Sequence, residues 1–242
     1  MIIPVHNEEN RLPKALQQID EYLQRQDYPA EVIVVENGSQ DDTVKAAQTF
    51  AADHPYVHLF VEQARGKGLA IRRGMLEARG AFRFMCDVDL SMPVEELDKF
   101  LPDGMCGFDI AIGSREAPGA VRYDEPWYRH FIGRANTWIV KLAALPMYED
   151  TQCGFKMFTA EAAADLFGVS RMDGIGFDVE VLFIAHKRGY RVNEIGINWY
   201  YDTESRMKLV QDSLHMLREI VAIRRNWRAG LYDRHPEQDD HR

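Results

Sequence analysis

The sequence predicts an α/β protein, a mostly parallel sheet flanked by helices. Three observations lead there. Short apolar runs alternate with stretches of helical spacing through the first half of the chain, the signature of βαβ units. Polar, turn-forming residues bound each run. A chain of 242 residues is also long enough to bury one sizeable core without disulfide or metal staples.

Taken in order, Ile2–Val5, Val32–Glu36, Val57–Val61, Phe82–Cys86 and Ile110–Gly113 read as buried strands. Between them Leu12–Arg25, Asp41–Asp53, Gly68–Arg79 and Val94–Leu101 carry helical spacing. The second half is less regular. A Gly-, Pro- and charge-containing loop from Glu116 to Pro126 leads into a helix from Trp127 to about Leu145. Helices are expected over Thr159–Phe167 and Phe177–Arg188, and a strand over Val192–Tyr200. Met207–Arg228 has two adjacent apolar stripes, Val210, Leu214, Leu217 and Val221 beside Leu209, Met216, Ile220 and Ile223. Lys208, Arg218, Arg224, Arg225 and Arg228 stand on it against Asp212 and Glu219. One reading packs this helix on its own domain. The other lays it, as a basic amphipathic helix, in a membrane interface, and a stripe this wide can serve both. The chain thus divides into a main domain over 1–206, a helical segment over 207–230 and a disordered tail over 231–242.

Hydrophobic residues at 46% and charged residues at 28% are the balance of a soluble globular protein. With 29 basic against 38 acidic side chains the net charge is −9, which argues against a general nucleic-acid binder. Cys86, Cys106 and Cys153 have no CxxC spacing, so neither a disulfide framework nor a zinc site is expected, and a reducing compartment fits. No apolar stretch reaches the ~18 residues of a membrane span. The run around Trp138–Met147 is broken by Lys141 and Pro146. No signal-peptide pattern opens the chain. It begins inside a strand-like run, so a few upstream residues are expected to be missing.

In a parallel sheet, ligands bind beyond the carboxyl ends of the strands. The segments there read HNEEN, ENGSQDD, DVDLS and GSREAPG. Asp87-Val88-Asp89 follows the apolar run FRFMC. Two carboxylates two apart at a strand end can converge on a hard divalent ion, which completes its shell with water and substrate phosphates. The competing reading is a solvated turn whose Asp caps the helix after Pro93. Position after the fourth strand favours the metal. Gly66-Lys67-Gly68 precedes a helix and reads either as an anion site, with Lys67 or Arg72 meeting a diphosphate, or as a plain loop-to-helix entry. It is not a Walker A loop. Glu36 could accept from a ribose hydroxyl or base edge. Ser39 with Asp42 three residues later resembles a capping box, so Ser39, Asp41 and Asp42 read as structural. Arg129 and Arg134 sit in a predicted helix, where a surface salt-bridge role competes with phosphate binding.

These pieces in this order resemble the inverting family 2 glycosyltransferases of the GT-A fold. IPVHNEEN, VIVVENGSQDDT, GKGLAIRRGM, DVDLS and IGSR follow the family's motifs at the expected intervals. DVDLSMP, DTQCGFKMF, GFDVEVLFIAHKRGY and the late ESR resemble the polyprenyl-phosphate sugar synthases, dolichyl-phosphate β-glucosyltransferases in particular. The resemblance implies a nucleotide-diphosphate sugar donor, a polyprenyl-phosphate acceptor and Mg²⁺ or Mn²⁺. Position by position, it implies that Pro4, His6, Glu8 and Glu36 hold the base and ribose. Asp87 and Asp89 hold the metal, and Lys67 meets the diphosphate. Arg115, Arg129 and Arg134 face the acceptor phosphate. Arg206, where the family more often has Lys, closes over the donor, and Asp150 and Asp178 stand where relatives using hydroxyl acceptors carry acids. Glu36-Asn37 departs from the family's usual Asp-Asp.

The implied reaction is in-line displacement with inversion. A lipid phosphate, with a second pKa near ~6, is already ionised and needs no general base. Asp178 is therefore expected to orient the site. UDP-glucose is the first donor expected, GDP-mannose the second. A hydroxyl acceptor and a catalytically silent nucleotide-sugar binding module are the competing readings. The expected location is the cytoplasmic face of a membrane, held by peripheral contact or by a separate membrane-anchor protein.

Overall fold

The computed structural model describes residues 1–126, 141, 145–202 and 209–233, with side chains of the last segment described from 216 onward. Seven strands form one sheet: β1 (Ile2–Val5), β2 (Val32–Asn37), β3 (Val57–Glu62), β4 (Phe82–Met85), β5 (Ile110–Ser114), β7 (Lys156–Thr159) and β8 (Val192–Gly196). Their order across the sheet is β3-β2-β1-β4-β7-β5-β8. All pairings are parallel except those of β7, which runs antiparallel between β4 and β5. β6 (Val121–Tyr123) pairs with β9 (Asn198–Tyr200) in a separate two-stranded ribbon.

Alternation along the strands feeds two cores. Ile2, Ile33, Val35, Ile110 and Ile112 face α3 (Lys67–Glu77), α4 (Ala160–Val169), α5 (Phe177–Lys187) and α6 (Leu209–Arg228). Ile3, Val5, Val32, Val34 and Ala111 face α1 (Leu12–Leu23) and α2 (Thr43–Asp53) on the other side. The order reverses between β1 and β4, and the carboxyl ends of β1, β2, β4 and β5 open onto one edge. Because β7 is antiparallel, its beginning reaches that same edge.

Five sequence expectations change. The helix expected over Thr159–Phe167 runs from Ala160 to Val169 instead, because Thr159 ends the central strand Lys156–Thr159 and its Oγ1 caps α4 by accepting from Ala162 N at 3.2 Å. The helix expected over Val94–Leu101 is a 3₁₀ turn over Val94–Lys99, with a second over Asp103–Met105 beyond Pro102, which a continuous helix could not accommodate. The strand expected over Val192–Tyr200 breaks at buried Ile197, where the chain leaves β5 and joins β6. The Ser39–Asp42 capping box is not formed. Asp41 Oδ1 accepts from Thr43 N at 3.1 Å, and Ser39 Oγ accepts from Asn7 N at 3.0 Å. Residues 231–233, expected in a disordered tail, fold back on the protein, and Tyr232 is buried against the core. On α6, Met216, Ile220 and Ile223 are buried while Leu217 and Val221 are exposed. No described helix is long and apolar enough to cross a membrane.

Candidate active site

The edge of the sheet gathers the acids that follow β4. Asp87 is half-buried, and its Oδ1 lies 2.6 Å from Lys67 Nζ at the start of α3. On its other side stands Gly154, just before β7, where a Cβ would come within 2.3 Å of Asp87 Oδ2. A glycine is needed there because the carboxylate fills the place of a side chain. Asp89 is exposed at the rim, its Oδ1 accepting from Ser91 N at 2.9 Å. Just after Asp89, Leu90 takes a φ of 45°, and Asn7, after β1, a φ of 55°, both in the left-handed region that non-glycine residues seldom occupy.

Charge couples these groups. The surrounding protein and the neighbouring Asp87 push the Asp89 carboxyl up. Burial alone would lower the Lys67 ammonium, but the carboxylates of Asp87, Asp178 and Asp89 outweigh it and raise it. Behind them lies a second lysine–aspartate pair, Lys156 with Asp178, almost sealed from solvent with side-chain exposures of 2% and 8%. Lys156 Nζ also donates to Cys153 O at 2.6 Å. Burial raises the Asp178 carboxyl against the pull of Lys156 and Lys67.

The donor set can be tested against a divalent ion. Among the described residues no group of three or more His, Cys, Asp or Glu is arranged to hold a metal. Asp87 and Asp89 supply two carboxylates on an open edge, and the Lys67 ammonium already sits as a cation on one of them. Two carboxylates with the rest of the shell left to water and substrate phosphate is a set that Mg²⁺ accepts. The residues fit an ion that arrives with a diphosphate and not one held by an all-protein cage.

The sequence profile described as glycosyl transferase family 2 matches residues 1–164. The chain belongs to this family. Over 96% of its length it is 33% identical to the dolichyl-phosphate beta-glucosyltransferase of Homo sapiens, covering 76% of that protein. It is 32% identical to the dolichyl-phosphate beta-glucosyltransferase ALG5C of Trichomonas vaginalis, covering 96% of this chain and 72% of the relative. Among solved structures, glucosyl-3-phosphoglycerate synthase from Mycobacterium tuberculosis in complex with UDP superposes with a TM-score of 0.66 at 17% identity, over 92% of this chain and 78% of that one. Mannosyl-3-phosphoglycerate synthase from Rubrobacter xylanophilus gives 0.69 at 14%, over 95% and 74%. These likenesses carry the GT-A fold.

In this family 2 glycosyltransferase the remaining expected residues fall as follows. His6 Nδ1 is 2.9 Å from Asn37 O at the ends of β1 and β2. Pro4 lies inside β1 and is buried, one residue short of the edge. Glu8 grips Arg11 through both oxygens, at 2.7 and 3.0 Å, and Arg11 reaches on to Asp202. Glu36 is buried and accepts from Ser39 N, so a ribose contact would require that bond to open. Arg72, the other cation considered for a diphosphate, is engaged by Asp173 at 2.6 Å and by Ser170 O. The start of α3 is not open to an anion either. Gly68 N and Leu69 N both donate to Asp173 O, at 2.9 and 3.3 Å. Arg115 is clasped by Asp150 through Nε at 2.6 Å and Nη2 at 3.0 Å, and stacks over Trp199. That clasp, working against burial, holds the Asp150 carboxyl down at about 2. Arg129, Arg134 and Arg206 lie outside the described residues.

The sequence reading missed Lys156, Gly154, Glu180 and the carbonyl of Asp173. For Lys156 a signal was present. A lysine inside the apolar run Phe155–Phe158 is rare unless its charge is paired.

Proposed function

We propose that this glycosyltransferase moves glucose from UDP-glucose to dolichyl phosphate or a related polyprenyl phosphate, inverting the anomeric carbon, with Mg²⁺ or Mn²⁺ at Asp87 and Asp89. The observation that carries the reading is that identity to proteins named for dolichyl-phosphate glucosylation extends over 96% of the chain. It continues past residue 164, where the family-wide match ends.

The demanding part of the reaction is charge gathering on the departing UDP. The metal, when bound, neutralises part of that charge as a Lewis acid. Lys67 adds an ammonium on the same side, and Arg206 is assigned the remaining cationic contact. His6 and Glu36 are assigned to the base and ribose. On the acceptor side the phosphate is ionised at neutral pH and attacks without giving up a proton. It needs cations to position it, and Arg115, Arg129 and Arg134 are proposed for this. Arg115 has Nε and Nη2 engaged by Asp150, so a phosphate would meet Nη1 or loosen the clasp. Asp178 is bound by Lys156 behind the site, which supports an orienting role over that of a base.

The lipid acceptor calls for contact with a membrane surface. Exposed Leu217 and Val221, beside exposed Arg218, Arg224, Arg225 and Arg228 on α6, support peripheral attachment to an anionic cytoplasmic leaflet, alone or with a separate anchor protein.

A donor-by-acceptor screen with Mg²⁺ or Mn²⁺, reading nucleoside-diphosphate release, tests the proposal. UDP release from UDP-glucose that depends on a polyprenyl phosphate is expected. Turnover with GDP-mannose alone, or only on hydroxyl acceptors, would replace the reading.

A further inference from the structure

A path of hydrogen bonds joins the last turn of the described chain to the donor side of the site. It starts at Tyr232, beyond the end of α6, whose side chain is 1% exposed and whose hydroxyl donates to Glu180 Oε1 at 2.6 Å. Glu180 stands in α5 with no exposed surface, and no step of the proposed mechanism uses it. Its carboxylate also accepts from Arg171 N at 3.0 Å and from Met172 N at 2.9 Å. A buried carboxylate is costly unless donors surround it, and these three N–H and O–H groups supply them.

The next residue, Asp173, carries the path into α3. Its carbonyl caps Gly68 N and Leu69 N, at 2.9 and 3.3 Å, and its carboxylate holds Arg72 at 2.6 Å. The fit leaves no slack, because a Cβ on Gly68 would lie 2.3 Å from Met172 O. α3 begins at Lys67, whose ammonium meets Asp87. The C-terminal turn is itself tied down. Arg171 Nε donates to Leu231 O at 3.2 Å, and Arg188 donates to Tyr232 O.

We propose that Glu180 and Tyr232 are positioning residues for the nucleoside-diphosphate donor: they fix the 171–173 loop, which fixes the start of α3 and so the place of Lys67 beside Asp87. The inference rests on the proposed function only in assigning Lys67 to the donor diphosphate. Loss of the Tyr232 hydroxyl leaves Glu180 one donor short and lets the loop, and Lys67 with it, shift.

The test uses the full chain and the variants Tyr232→Phe and Glu180→Gln, with UDP and GDP as calorimetric probes. Tyr232→Phe is expected to weaken binding of the nucleotide that the wild type takes by about 3- to 10-fold. It should raise the donor KM by the same factor and leave kcat and the acceptor KM within about twofold. Hydrogen exchange at the Gly68 and Leu69 amides should quicken without any ligand present. In a Lys67→Met background the same substitution should change affinity by less than about twofold, since the residue it positions is gone. A lowered Tm with unchanged nucleotide affinity and unchanged exchange at those amides would make the pair merely structural and overturn the proposal. Should Tyr232→Phe weaken binding equally with and without Lys67, the path would not end at Lys67. Nucleotide binding without turnover on any acceptor would sink the proposed function alone, whereas a wild type that binds neither UDP nor GDP would sink both.

Discussion

The site holds two lysine–aspartate pairs of the same chemistry in opposite settings. Lys67–Asp87 stands at the open edge, with side chains 33% and 28% exposed, and Lys156–Asp178 lies behind it at 2% and 8%. The open pair can part when a better partner arrives, because water and incoming ligand charges replace the lost attraction. The sealed pair cannot, because either charge left alone would be stranded in a medium that solvates it poorly. Burial, and not residue type, separates the pair suited to handling a substrate from the pair that builds the floor of the site.

The largest expected effect breaks the sealed pair. Lys156→Met should cost about 3–5 kcal/mol and lower the Tm by roughly 10 °C or more in calorimetry. Adding Asp178→Leu should recover much of that loss, since a removed charge needs no partner. An Lys156→Met protein as stable as the wild type would show that the inner pair is not sealed.

Next comes the third acid of the edge, Asp150, which Arg115 clasps. Its folded pKa of about 2 lies below the ordinary aspartate value near ~3.9. The sign follows from linkage. A depressed carboxyl stabilises the fold above its unfolded pKa, and that contribution is lost as pH falls through the folded one. Roughly 2–3 kcal/mol should therefore disappear between about pH 4 and pH 2. Urea melts at stepped pH should show that slope in the wild type and a flatter one in Asp150→Asn.

The smallest expected effect on stability belongs to the open pair. Lys67→Met should change the unfolding free energy by no more than about 1 kcal/mol. Its consequence should appear in function, as UDP affinity about 10-fold weaker by calorimetry, the loss of one charge-assisted contact of 1.4 kcal/mol. A Lys67→Met protein that melts far below the wild type would erase the contrast between the pairs.

Much of this arrangement was legible in the residues. Ile2–Val5 and Val32–Glu36 stand out as short apolar runs buried on both faces, and Asp87 and Asp89 declare themselves by following an apolar strand. β7 was not legible, since four residues carrying a lysine look like neither a buried strand nor an alternating one. The lysine makes sense only once Asp178, from a helix later in the chain, is packed beside it. The same limit applies to the glycines around Lys67. Local pattern shows a loop entering a helix, but only tertiary structure reveals that Asp173 has already taken the first amide groups of α3. Contacts between segments far apart in sequence leave no period to read.

Asp87 and Asp89 are proposed to bind a divalent ion together with the donor diphosphate. The decisive measurement is calorimetric titration of UDP into the wild type and into Asp89→Ala, each with and without Mn²⁺. Mn²⁺ is expected to strengthen UDP binding at least about tenfold in the wild type and hardly at all in the variant. Equal enhancement by Mn²⁺ in both proteins would contradict it.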